Sequence, residues 1–461
     1  MKLRFRYGNY VFANINIFLV ILFSYLMFST NDLYVKNIQA VLTLVSVVLI
    51  VLHIGKIYGS IINFHSVVIM SFYVFFLGRQ LTSLFGFESY HATNYGGSYT
   101  VYDYGFAFFF SYCCIFIFYV FSIMQYYPDR IIYQDEGAET KLYKILQRVF
   151  WICFIPMVYY YYTLLTSALI SKYGSDMYDS LVSGSRYIIS LLRQWGVLSL
   201  VGIVVLKFTG SINTSSIYFV AYGLLTVVSL FSGGRTEGMS LLLTIVLLYS
   251  EKNKGLQRKQ VIAIALGVLV SILAPYLFAV RKDIKQIGSI RVNDFVNSAS
   301  VLIAIHEMGG TAAPFLLIKK LDEQVYGQSY FLAIMNTLFN FLPAFARPDF
   351  SFIGPPSLAH HFTVVLGLNY GLGFNLVAEA YYNFAFLGIL VFAVFGIVFK
   401  NIISKENTSL EFVKKVLFVF LLFTMARRES KDLFTSMLYY WIPFVILINI
   451  VKRRSIQEEK V

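Results

Sequence analysis

The residues best suited to moving a proton gather late in the chain: His306-Glu307, then His360-His361, then Glu379 within Ala378-Glu379-Ala380-Tyr381-Tyr382-Asn383. A histidine or a suitably placed carboxylate takes a proton from a hydroxyl near neutral pH. His306, Glu307, His360, His361 and Glu379 are therefore candidate general bases, with Glu237 a further carboxylate at the start of an apolar run. A histidine in a polar loop is more often simply solvated. Glu379 instead enters an apolar stretch, where a carboxylate is costly and more often functional. Glu307 and Glu379 are favoured, because both stand beside apolar neighbours of the kind that tune a carboxylate for proton transfer. No His-Glu-x-x-His spacing is present, so no metal site is read from the motifs. Cys113, Cys114 and Cys153 lie inside apolar runs and suggest neither a disulfide framework nor zinc.

A second set of residues points to anions. Ser183-Gly184-Ser185-Arg186 and Ser232-Gly233-Gly234-Arg235 each open a predicted helix, and Arg427-Arg428-Glu429-Ser430-Lys431-Asp432 opens a third. Arginine at a helix N-terminus faces the positive end of the dipole, a cost of about 0.3 to 1 kcal/mol. A bound anion reverses the sign, and a glycine-led helix start with free N–H groups is a ready phosphate site. Ser and Gly as ordinary caps explain any one of these starts; their recurrence favours a functional role for Arg186, Arg235, Arg427 and Arg428. Arg193 lies two turns below Arg186 on the same face. At helix centre an arginine costs about 2.5 to 3.5 kcal/mol, so this one is expected to face a cavity or to snorkel outward. Arg281, with Lys282, follows a helix C-terminus, where cations suit the dipole.

The elements that must carry these groups are membrane helices. The chain is 58% hydrophobic and only 13% charged, and apolar runs of spanning length recur throughout, each about 20 residues. Twelve helices are predicted, at 11–28, 37–55, 61–77, 104–124, 149–169, 187–206, 215–231, 236–250, 260–280, 384–400, 411–427 and 433–451. This makes an all-α polytopic membrane protein organised as residues 1–280 (helices 1 to 9), a long loop over 281–383, and 384–461 (helices 10 to 12 and a tail). The apolar stretch Tyr330–Phe345 inside the loop reads as a re-entrant or interfacial helix. Lys2, Arg4 and Arg6 precede a run too long for a secretory signal and without a small-x-small cleavage site, so it is read as the first helix.

The net charge of +13 sits in short segments between apolar runs, a topology pattern rather than a nucleic-acid surface. Placing both termini inside collects 14 Lys and 7 Arg on the inner face, against 7 Lys and 9 Arg outside. Arginine's planar fork suits bidentate phosphate binding better than lysine's point charge, so the outer arginines are suspected of holding an anion. The aromatic content of 18% is mostly accounted for by interfacial belts, although Tyr159–Tyr162 and Tyr381-Tyr382 could stack on sugar rings.

At these residues the chain resembles the Wzy family of O-antigen polysaccharide polymerases, in length, in helix count and in the large outer loop before the last three helices. The closest pieces are Ser232-Gly233-Gly234-Arg235-Thr236-Glu237-Gly238, Glu307-Met308-Gly309-Gly310-Thr311, and Gly373 to Gly388, with Ala378-Glu379-Ala380-Tyr381 and Asn383-Phe384. The resemblance implies a GT-C-like, lipid-dependent glycosyltransferase of the bacterial inner membrane, with no cofactor, metal or nucleotide-sugar domain. Such enzymes join repeat units carried on undecaprenyl diphosphate at the periplasmic face, moving the growing chain onto the terminal sugar of the next unit. Donor and acceptor lipids, the bilayer and a chain-length regulator protein are the partners implied. The family's outer-loop arginines map onto Arg235, Arg281 and Arg291. Two alternatives stand beside this reading. A flippase for lipid-linked oligosaccharide would commonly show related halves, and no internal repeat is seen; an O-antigen ligase would need the same diphosphate grip.

Overall fold

A computed structural model describes residues 8–27, 33–86, 99–123, 136–170, 186–209, 212, 215–231, 235–253 and, with short breaks, 305–365, 374–404 and 408–458. The elements it describes are helical. In chain order they are α1 (Gly8–Met27), α2 (Leu33–Tyr58), α3 (Phe64–Ser83), α4 (Val101–Ile123), α5 (Glu136–Ile170), α6 (Arg186–Phe208), α7 (Ile217–Phe231) and α8 (Arg235–Asn253). After a 3-10 turn at Gly309–Thr311 come α9 (Ala312–Leu321), α10 (Gln328–Phe339), α11 (Leu358–Val365) and α12 (Leu376–Phe384). A second 3-10 turn, Ala385–Gly388, leads to α13 (Ile389–Ile403), α14 (Ser409–Met425), α15 (Ser430–Ser436), a π turn at Met437–Trp441, and α16 (Ile442–Glu458).

Among the described residues, eight helical stretches are long and apolar enough to cross a bilayer: Asn9–Leu26, Val35–Tyr58, Phe64–Ser83, Val101–Ile123, Gly137–Thr166, Ile188–Phe208, Leu376–Ile403 and Ser430–Ser455. The apolar helices Ile217–Leu230 and Glu237–Ser250 are shorter, and α14 has 17 residues. The predicted helix 260–280 lies outside the described residues. The protein is thus a polytopic helical membrane protein. Several boundaries differ from the sequence reading; the helix predicted at 149–169, for one, begins at Glu136. The span predicted to begin at 384 begins at Leu376, so Glu379 stands in the first turn of a membrane helix rather than in the loop. The apolar stretch from Tyr330 is α10, a helix of 12 residues.

The described residues form two compact units, one from 1–126, 302–403 and 425–434, the other from 127–301, 404–424 and 435–461. In the first, α4 and α13 pack most closely, because Gly396 lets the backbones meet. A Cβ there would stand 2.8 Å from the Phe118 carbonyl oxygen and 3.1 Å from Ser122 N, the small-residue contact typical of membrane helices. Phe72, Phe76, Phe118 and Phe392 fill the space beside it with edge-to-face contacts. In the second unit, α5 and α6 lie side by side, with Gly196 against Cys153 and Gly202 against Leu146.

Candidate functional site

Glu379 is the centre of a buried polar cluster in the first unit. Asn375 caps α12, its Oδ1 accepting from Ala378 N at 2.7 Å, and so fixes the helix start. Glu379 then falls in the first turn, where the dipole favours a carboxylate, and is 1% exposed. Three donors reach it from outside its helix. Ser329 Oγ (2.8 Å) and Ser430 Oγ (2.6 Å) donate to Oε1, and Ser430 N donates to Oε2 at 2.6 Å. Asn383, one turn later on the same face, donates to the Glu379 carbonyl at 2.8 Å and to Ser329 Oγ at 2.6 Å.

Ser329 is placed by the turn before it. Tyr326 and Gly327 both take positive φ, 44° and 90°, and Val325 N donates to the Tyr382 carbonyl at 3.0 Å. Tyr326 is a bulky residue in a region that favours glycine, a strained arrangement that is held by this contact with α12. Beside Glu379, the Tyr330 hydroxyl is buried and makes no hydrogen bond among the described residues. Burial, and then the Glu379 charge, hold that phenol well above the usual range.

Next to Ser430, Glu429 performs a second task. Its Oε2 accepts the N–H groups of Leu358 (2.7 Å) and Ala359 (3.3 Å), the donors that α11 leaves open at its start. Burial pushes this carboxyl above the usual range, and Asp432 adds to the effect. Two adjacent residues therefore tie two loop-derived helices, α11 and α12, to one point. His360 and His361 ride on α11; His360 is exposed, and its backbone N–H meets Ser357 Oγ at 3.3 Å.

His306 stands elsewhere in the unit, its Nδ1 2.9 Å from Thr82 Oγ1 on α3. Burial, and then the nearby Arg79 guanidinium, hold the imidazole below its ordinary pKa. The segment carrying it packs on α3 through two glycines: a Cβ on Gly309 would come within 2.9 Å of Gly78 Cα, and one on Gly78 within 2.6 Å of the Ile305 carbonyl oxygen. That explains the glycine at 309 in the Glu307-Met308-Gly309-Gly310-Thr311 piece.

In the second unit, Arg193 neither snorkels nor faces an open cavity. Its Nη1 donates to both carboxylate oxygens of Glu237 (2.9 and 2.8 Å) and to the Tyr161 hydroxyl at 3.3 Å. Its Nη2 donates to Gln194 at 3.0 Å, and the guanidinium lies 4.4 Å over the Tyr160 ring. A buried arginine in a membrane helix is stable only with such compensation. The pair joins α6 to α8, the helices that begin at Arg186 and Arg235.

The cluster thus brings together Glu379 with Ser329, Ser430, Asn383, Tyr330 and Glu429, of which only Glu379 was singled out from the sequence. Arg428 is exposed and sits 3.9 Å from Asp432. Glu307, Arg281, Arg291 and Arg427 lie outside the described residues, as do the side chains of Arg186 and Arg235. Among the described residues, no three His, Cys, Asp or Glu side chains gather as metal ligands do. Another group missed from the sequence is Lys319, paired with Asp103 at 2.7 Å and lying over the Tyr102 and Phe106 rings.

No curated protein and no solved structure matches the chain. The family model for O-antigen polysaccharide polymerase Wzy, by contrast, matches residues 10–459. With nearly its whole length matched and eight apolar helices of spanning length among the described residues, the chain belongs to the Wzy family of O-antigen polysaccharide polymerases, membrane proteins that polymerise O-antigen from lipid-linked oligosaccharide.

Proposed function

We propose that this protein joins O-antigen repeat units carried on undecaprenyl diphosphate, at the periplasmic face of the inner membrane. Twelve spans follow from the recurring apolar runs, and both termini inside with a long periplasmic loop from 281 to about 375 follow from the distribution of Lys and Arg. The GT-C-like arrangement is what the family resemblance implies. In the reaction, a hydroxyl oxygen of the acceptor's terminal sugar attacks the anomeric carbon of the donor chain. Its proton passes to a base, and the carbon–oxygen bond to the diphosphate breaks with both electrons leaving on undecaprenyl diphosphate. Arg235, with Arg186, Arg281, Arg291, Arg427 and Arg428, stabilises that leaving charge in place of a metal. Arg193, already matched by Glu237, positions the helix starts. A chain-length regulator protein is the partner that would end elongation.

The observation that carries the reading is Glu379, a carboxylate kept 1% exposed in an apolar helix and oriented by three donors. Its Oε2 accepts one hydrogen bond and keeps a lone pair for the acceptor hydroxyl. Glu307, His306 and His360 are the other bases in reach of the outer loop. The three donors also favour a second reading, in which Glu379 is a latch that fastens α10 and the Ser430 segment to α12.

The diphosphate grip is tested at Arg235. Arg235→Lys keeps the charge and loses the fork, so O-antigen chains should shorten with Lys and vanish with Ala at normal expression. Wild-type chain lengths from both variants would remove Arg235 from the mechanism.

A further inference from the structure

An apolar groove of about 420 Å³ runs between α5, from Phe150 to Leu165, and α7, from Ile217 to Val228. One end is closed by Trp151, whose Nε1 donates to the Tyr218 hydroxyl at 3.2 Å. At the other end, Tyr161 lines the groove and takes a hydrogen bond from Arg193, the partner of Glu237. Glu237 stands two residues beyond Arg235. The groove therefore leads from an aromatic floor to the Arg193–Glu237 pair at the start of α8. Its rim residues Tyr162, Val220 and Leu224 are 65%, 59% and 62% exposed, so it opens sideways.

We propose that this groove binds the isoprenoid tail of the lipid carrier, with the diphosphate at the Arg235 end; the inference rests on the lipid-carrier reading above. Length selects the occupant. Fifteen residues of helix rise about 22 Å, whereas one leaflet of a hydrocarbon core about 30 Å thick offers only about 15 Å. A phospholipid acyl chain ends near the midplane, so two lipids, one from each leaflet, would be needed to cover this length. A long polyisoprenoid fills the groove from end to end, and its anionic head arrives where the arginines begin.

The test uses the full-length protein in phosphatidylglycerol nanodiscs with undecaprenyl diphosphate as the probe, read by native mass spectrometry. Wild type should retain the probe. Leu224→Trp and Ala221→Trp, which fill the groove, should bind at least tenfold more weakly. Val227→Trp, exposed on the same helix but not lining the groove, should bind as wild type does. A photoreactive benzoylphenylalanine placed at Leu224, where exposure spares the fold, should cross-link to undecaprenyl diphosphate. Cross-links to phosphatidylglycerol alone, or undiminished binding by both groove variants, would overturn the groove assignment and leave the lipid-carrier reading standing. Absence of binding by wild type would overturn both.

Discussion

Replacing Glu379 by Gln separates catalysis from structure, because the cluster accommodates an amide. With its oxygen at the Oε2 position, Gln accepts the Ser430 N–H, and its NH2 group faces the hydroxyls of Ser329 and Ser430. Those hydroxyls rotate and accept instead of donate. The Ser430 N–H keeps its acceptor, and the two hydroxyls stay hydrogen-bonded as acceptors while their own protons lose Oε1, so the cost is about 1 to 3 kcal/mol, against a stability of roughly 5 to 15 kcal/mol for a folded domain. The folded fraction stays near unity. Ala, in contrast, strands the Ser430 N–H and two hydroxyls at about 1 to 3 kcal/mol each and leaves a cavity. If Glu379 accepts the proton, Glu379→Gln loses about 10² to 10⁴ in rate, at least ~2.7 kcal/mol of barrier, with a smaller change in melting temperature than Glu379→Ala. The assay is elongation of lipid-linked repeat units by purified variant, with thermal unfolding measured in the same detergent. Wild-type elongation by Glu379→Gln, together with a large loss of stability in Glu379→Ala, would refute the catalytic role and make Glu379 a latch.

Three further outcomes follow from the same geometry. Glu237→Ala leaves the largely buried Arg193 with only Tyr161, Gln194 and the Tyr160 ring as partners and should destabilise the protein by up to about 3 kcal/mol, whereas the double variant Arg193→Met with Glu237→Leu should recover most of it; thermal unfolding of the set decides. Gly309→Ala should cost about 1 to 3 kcal/mol through overpacking against Gly78 and Arg79, and an unchanged melting temperature would mean that this close approach is not made. His306 is held below its ordinary 6.5, so the unfolded chain binds its proton first as pH falls. Stability should therefore drop from pH 6.5 downward until the folded pKa is passed, and His306→Gln should flatten that slope of melting temperature against pH.

Much of the membrane architecture was legible because hydrocarbon imposes a length and an apolarity that few other structures need. The start of α12 was not, since Leu376 to Asn383 carries Glu, Asn and two Tyr, and its polar side chains turn onto Ser329 and Ser430 rather than outward. Glu379 stood out by its cost, but its partners lie 50 and 51 residues away in sequence, with no local pattern to announce them. The 427–432 segment drew attention through its arginines, while the residues that bind other helices there are Glu429 and Ser430. Arg193 posed the right question, where its compensation comes from, and the answer, Glu237, is 44 residues distant. Glycine at 309 was visible, but the Gly78 backbone it approaches was not.

The central claim is that this chain itself elongates O-antigen on a lipid carrier. Purified protein in proteoliposomes, supplied only with undecaprenyl-diphosphate-linked repeat units, measures it directly. The account predicts a ladder growing by whole repeat units, one undecaprenyl diphosphate released for each bond formed. Translocation of the lipid without elongation, or transfer that occurs only onto added lipid A core, would contradict it.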